Sequence, residues 1–255
     1  MDAAKSYINS LVTENTFTGN LILLFLIFCA IVIIYKIVKK IFFMVKEKQF
    51  TNPMIIRGIN SGSCGTFNGS IFPRSVNKDG IEFTYQWWMI VHNFDGTGGK
   101  DLVFAKTGPN EPSADRDHLL LACPAVMIDR SQNVMTIQMN SFTRSANVVE
   151  IPNIPRKKWM HCAICVRNRN VDVMINGNIV KRMEMTDLPM QNYGPLQVYN
   201  GNGMFSLSNV QYHNRYLTYD DIYHIVEAGP DMQTYNVAVP DEVNTNYLSQ
   251  GWYTS

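Results

Sequence analysis

Residues 21–35 read LILLFLIFCAIVIIY, fifteen positions without a charge in a chain whose charged fraction is 17%. Spanning a bilayer takes roughly 20 apolar residues. Residues 17–19 and Ile37 and Val38 extend the run to 17–38, a helix about 33 Å long at 1.5 Å per residue. Lys36 fits inside it because a four-carbon stem can lie along the helix while its ammonium reaches the headgroups. The sequence therefore predicts one transmembrane helix over 17–38, with Leu21, Leu24, Phe28, Ile31 and Tyr35 in the span. A cleaved signal peptide fits poorly. The first sixteen residues carry Asp2, Lys5 and Glu14, and the positive charge follows the apolar run instead of preceding it.

That charge predicts orientation. Lys36, Lys39, Lys40, Lys46 and Lys48 stand against the single acid Glu47, and an excess of lysine on one flank retains that flank in the cytoplasm. The expected topology is single-pass, with the large C-terminal part on the cytosolic side. Apolar residues at Ile37, Ile41 and Val45 keep a helical period through this segment, so the helix should continue with its lysines toward anionic lipid. Residues 1–16 place Ala4, Tyr7, Ile8, Leu11 and Val12 at helical spacing and form a short separate segment.

The rest is large enough for one domain with its own core. A formal net charge of +1 argues against a nucleic-acid partner, because phosphate binding needs a basic surface. The five cysteines, 29, 64, 123, 162 and 165, are odd in number and sit mostly among apolar neighbours, which predicts reduced thiols.

Strand signals then run nearly to the end. Residues 39–70 are expected to be a basic juxtamembrane helix and a linker rich in Gly, Ser and Asn. In residues 81–91, IEFTYQWWMIV, the set Ile81, Phe83, Tyr85, Trp87, Met89 and Val91 alternates with Glu82, Thr84, Gln86 and Trp88, as in a strand with one buried face. The sequence HNFDGTGGKD turns the chain into DLVFAK. In LLLACPAVMI, Pro124 predicts an edge or bulged strand. Residues 159–183 read strand, turn, strand, and Asn176-Gly177 then supplies the two positive-φ positions of a type I′ hairpin. PLQVY and MFSLSNVQYHN are expected to pair as a final two strands. After them Thr218 and Asp221 start a helix that Gly229-Pro230 ends. With no helical crossover between strands, the sheets should be antiparallel.

The ordered set EFTYQWWMIV, a Gly-rich loop, LVFAKTG, KKWMHCAICVRNRNVDVMINGNIV and GMFSLSNVQYHNRYLTYDDIYHIVEAGP resembles the concanavalin A-like lectin/glucanase superfamily, in particular its laminin G-like domains. The resemblance covers residues 71–230 and implies a mainly β fold, a two-sheet antiparallel jelly-roll sandwich behind one N-terminal transmembrane helix. Residues 231–255 then form a C-terminal aromatic tail. The whole architecture also resembles minor capsid proteins of large icosahedral double-stranded DNA viruses with an internal membrane.

Glucanases of that superfamily use a Glu-x-Asp-x-x-Glu carboxylate set, which this chain lacks. Glu184 and Asp187 are the nearest acids, so no catalytic residue and no cofactor is assigned. Cys162 and Cys165 are spaced as CxxC, but residues three apart on a strand face opposite ways, so metal binding is not assigned to them. Asp95 and Asp101 flank the Gly-rich loop as weak calcium candidates. Trp88, Tyr193 and Trp252 could stack on a sugar ring, whereas Trp88, Tyr247, Trp252 and Tyr253 serve equally as aromatic anchors for a protein partner. The protein-contact reading is preferred. It makes the chain a non-enzymatic, membrane-anchored virion protein tethering a bilayer to capsid or other shell proteins, with a membrane-anchored carbohydrate-binding module as the alternative.

Overall fold

A computed structural model describes residues 6, 16–60, 65–75, 80–94, 96, 98–108, 122–143, 146–199 and 203–234, with the backbone alone for 16–19, 43–51 and 60. The chain divides into two units, Met1–Gln49 and Phe50–Ser255.

In the first unit the α-helix α1 (Thr16–Thr51) runs unbroken through the apolar run and the lysine-rich segment. The expected span and its juxtamembrane continuation are thus one helix. Neither Gly19 nor Asn20 interrupts it, and no proline removes a backbone donor before Pro53. Most of the N-terminal segment 1–16 lies outside the described residues.

The second unit is a sandwich of two six-stranded antiparallel sheets with a jelly-roll arrangement. Its strands are β1 (Met54–Asn60), β2 (Gly65–Phe67), β3 (Glu82–Val91), β4 (Lys100–Lys106), β5 (Ala125–Asp129), β6 (Val134–Asn140), β7 (Ala146–Pro152), β8 (Trp159–Arg167), β9 (Asn170–Ile175), β10 (Asn178–Glu184), β11 (Leu196–Val198) and β12 (Phe205–His213), followed by helix α2 (Tyr219–Ala228). One sheet has the order β1-β12-β3-β8-β9-β10 and the other β2-β11-β4-β5-β6-β7. All ladders within the sheets are antiparallel.

Alternation along β3 sets the core. Phe83, Tyr85, Trp87, Met89 and Val91 enter the space between the sheets, where they meet Phe104, Ile128, Ile137 and Met160. Trp87 is fully buried and lies edge-on to Phe104, ring centroids 4.9 Å apart. On the outer face of the same sheet, α2 packs Ile222 against Ala163, Cys165, Met174 and Leu217. Thr218 caps α2 by accepting from the Asp221 N–H, and the Asp221 carboxylate accepts in return from the Thr218 N–H, a closed capping box. Asn176 and Gly177, at φ 49° and 82°, form the expected hairpin turn and pair Ile175 with Asn178.

Four expectations are corrected. The sandwich begins upstream of residue 71, because β1 pairs with β12, and residues 54–60 are sheet edge, not linker. Of the edge or bulge expected at Pro124, the edge is not found: β5 starts after it and lies between β4 and β6, the Pro124 carbonyl accepts from the Lys106 N–H at 2.9 Å, and the β4–β5 ladder carries a register shift between Leu102 and Phe104. β11 and β12 do not pair with each other, since the intervening loop crosses from one sheet to the other. Residues 231–234 are part of the sandwich. Ser208 Oγ donates to the Asp231 carbonyl at 2.8 Å, and the Ile59 N–H donates to the Gln233 carbonyl at 2.9 Å.

Truncating Trp87, which no neighbour can replace, should cost about 3–5 kcal/mol. Urea unfolding of a 52–255 segment and its Trp87→Ala variant, followed by far-UV circular dichroism, checks this. A β-dominated spectrum with a large drop in midpoint is expected; a helical spectrum or an unchanged midpoint contradicts the packing.

Candidate functional site

A cavity of about 420 Å³ opens at one end of the sandwich, between the two sheets. One wall is aromatic. Tyr85 and Tyr212 are ladder partners on β3 and β12, both facing inward, with ring centroids 5.0 Å apart. Phe83 and Phe72 complete the cluster, Phe72 standing edge-on to Tyr212 at 5.5 Å. The Tyr212 hydroxyl donates to the Pro73 carbonyl at 2.8 Å, which ties the loop after β2 to the sheet. Burial raises the pKa of both phenols, so they stay neutral.

The opposite wall carries Lys106, two residues after Phe104 on β4 and buried among apolar groups. Its ammonium donates to the Gly194 carbonyl and lies 4.4 Å from the centre of the Phe72 ring. Burial lowers its pKa to about 8. Cys123 is alongside, its thiol pushed up to about 12 by burial and hence protonated and unreactive at neutral pH. At the rim, Arg74 lies over the exposed Tyr193 ring at 4.0 Å, and Asn68, Gln191 and Asn192 line the same opening. The described lining contains no Asp or Glu. The rim is built by close backbone approach: a Cβ on Gly69 would stand 1.9 Å from the Tyr193 carbonyl oxygen, and one on Gly194 2.2 Å from that of Gly108.

The residues singled out from the sequence fall elsewhere, except Tyr193. Trp88 is a correction. It faces away from the core as its parity requires, but it is only 5% exposed and stands against His161 at 5.4 Å, so it offers no surface for a sugar or a partner. Asp101 is also buried, and its Oδ1 accepts from Arg130 Nε at 3.0 Å and Nη2 at 2.6 Å, an ion pair across the β4–β5 end in place of an open calcium rim. Asp95, Tyr247, Trp252 and Tyr253 lie outside the described residues. Glu184 pairs with Arg169, and Asp187 accepts from the Leu188 N–H. Cys162 enters the intersheet core and Cys165 the opposite face. Among the described residues no three His, Cys, Asp or Glu cluster as a metal site.

On α1, Leu21, Leu24, Phe28, Ile31 and Tyr35 are exposed at 56–70%. Within Asn20–Phe42, 23 residues of mean hydropathy 3.1, none of the most apolar window is buried. Lys36, Lys39 and Lys40 are exposed on the same helix, and Lys46 and Lys48 follow on its backbone.

Sequence reading missed the cavity. Its signal was Lys106 itself, which alternation from Phe104 places on the inward face.

A second group of polar side chains is buried on the outer face of the β3 sheet. His161 Nε2 and Gln86 Oε1 are 3.0 Å apart, and Gln86 donates to Gln211 at 3.2 Å. His213 Nδ1 lies 3.1 Å from Asn52 Oδ1. The Trp88 Nε1, His161 Nδ1 and His213 Nε2 atoms have no hydrogen-bond partner among the described residues. Burial brings both imidazoles down to about 4, with the Arg215 charge adding to the effect at His213.

No protein-family model matches this sequence, and no curated protein matches it. Solved structures match by fold. The receptor binding domain of botulinum neurotoxin D superposes with a TM-score of 0.51 at 9% identity, covering 71% of this chain and 53% of that one. A mutant HCR/D structure gives 0.50 at 9% identity, with 71% and 51% covered. The binding domain of botulinum neurotoxin serotype G gives 0.47 at 11% identity, with 67% and 46% covered. The chain thus spans about half the length of these structures, and at such identities the likeness is one of fold alone.

The histidines give a pH prediction. Both are neutral in the folded chain with lowered pKa values, whereas the unfolded chain takes up protons near 6.5. Stability should therefore be intact above about pH 6.5 and fall as pH drops toward 4, by up to about 3 kcal/mol per histidine. Aspartates 172 and 221, held below the usual carboxylate range by Arg182 and Arg215, lose their contribution only at lower pH. Urea unfolding at pH 7 and pH 4.5 should show the loss, and His161→Gln should reduce it. Equal stability at the two pH values contradicts the buried neutral state.

Proposed function

We propose that this protein is a single-pass, non-enzymatic membrane protein whose sandwich, of the concanavalin A-like, laminin G-like kind, grips a protein shell while α1 holds a bilayer. In a virion with an internal membrane this is the role of a minor capsid protein. The observation that carries the reading is the unburied apolar stretch of α1, joined in one helix to the lysine-rich segment. Such a surface suits lipid, and the lysine flank supports a sandwich on the cytosolic, capsid-facing side. The sandwich has a core of its own, so it is a body that binds from the membrane surface. A solved structure that shares its fold is described as a receptor binding domain, which touches only the alternative below. The partners are the bilayer and capsid or other shell proteins, with no nucleic acid.

One observation favours the alternative of a carbohydrate-binding module: Tyr193, exposed and backed by Arg74, sits at a cavity rim beside Asn68 and Asn192. Aromatic stacking with neighbouring amides is what sugar recognition requires. The tether remains the preferred function, because the lysine flank favours a cytosolic sandwich.

If the hold is shared between lipid and shell, stripping purified particles with mild nonionic detergent should leave the protein on the sedimented shells. Trp252→Ala should weaken that retention by roughly 2 kcal/mol or more if this tryptophan is an anchor, with membrane insertion unchanged. Blotting the pellet and supernatant checks both. Quantitative release of the intact protein with lipid would reject the tether.

A further inference from the structure

We propose that the cavity around Lys106 is a binding site for a small organic carboxylate, whose oxygens take the buried ammonium while its apolar body lies against Phe72, Phe83, Tyr85 and Tyr212.

Three observations carry this. The Lys106 ammonium has three donors, and it meets one carbonyl, that of Gly194, and one ring face, that of Phe72. A buried cation is costly without a counter-charge, and no carboxylate occurs in the described lining. Arg74, in the same lining, brings a second cation to the rim. The remaining wall is aromatic, and a volume of about 420 Å³ falls within the roughly 300–1,000 Å³ of small-molecule sites.

These features select among ligands. Inorganic phosphate would satisfy the charge and leave the rings uncovered. A neutral sugar or a hydrocarbon would cover the rings and leave the ammonium without a counter-ion. A carboxylate carried on a ring or short apolar body does both. The lowered pKa of Lys106, about 8, agrees with a cation awaiting its partner, and a bound carboxylate would raise it. The proposal goes beyond the tether and does not depend on whether a sugar stacks on Tyr193.

The test is isothermal titration of the full-length chain in nonionic micelles with benzoate, its neutral isostere benzamide, and glucose. At pH 7 benzoate should saturate at one per chain, about tenfold or more tighter than benzamide. Lys106→Met should weaken benzoate by about tenfold or more while raising the melting temperature, since an uncompensated buried charge is removed. Arg74→Gln, at an exposed position, should weaken it severalfold. Wild-type affinity should fall as pH rises from 7 to 9 and Lys106 loses its proton, a readout that stands even if Lys106→Met does not fold. Absence of saturable benzoate binding, benzamide binding as tightly as benzoate, glucose saturating where benzoate does not, or affinities indifferent to pH and to Arg74→Gln would each overturn the proposal.

Discussion

Helix α1 carries a 23-residue stretch, Asn20–Phe42, that is long and apolar enough to cross a bilayer and has none of its most hydrophobic window buried. Burial of roughly 20 apolar side chains in hydrocarbon is favourable by far more than the marginal stability of a typical domain. On the proposed reading it dictates where the rest of the protein works. The continuous helix adds a second feature, since Lys36, Lys39 and Lys40 occupy the same rod as the apolar stretch, and on the proposed reading this lysine flank keeps that end with the cytosol.

The sandwich answers a different demand. Its two sheets bury one face each against the other, and the outer face of the β3 sheet is covered in turn by α2 and residues 231–234. Polar groups at Gln86, His161 and His213 are buried on the same face, with Gln86 bonded to His161 and Gln211, and His213 to Asn52. The cost of holding imidazoles neutral there sets the acid side of the stability curve. At the end of the sandwich the intersheet space is left open, and the chain places a cation and four aromatic rings in the gap instead of filling it with aliphatic side chains.

Much of this was legible because local chemistry and tertiary environment agree. Period-two alternation gave β3, Asn176-Gly177 gave the hairpin, and Thr218 with Asp221 gave the start of α2, since each signal acts through its near neighbours in sequence. What failed depended on which strand lies next to which. Pro124 was read as the sign of an edge or bulged strand, but it sits just before an interior β5, where its missing N–H removes nothing from the ladder. β11 and β12 look like a hairpin in sequence and belong to different sheets. Trp88 was placed on the correct face and still misjudged, because that face is buried at this point, with the Trp88 ring against His161 of the neighbouring β8. Lys106 carried its own signal in the parity of β4, but that the described lining holds no carboxylate becomes visible only when its six separate segments are assembled.

The claim on which the account rests is that α1 is held in a bilayer by its apolar stretch. Alkaline carbonate extraction of membranes carrying the full-length chain tests it most directly. The wild type should remain in the membrane pellet, and a Leu24→Arg, Phe28→Arg double variant should move to the supernatant, because each arginine near the middle of a span costs about 2.5–3.5 kcal/mol on insertion scales. Release of the wild type into the supernatant would contradict the claim.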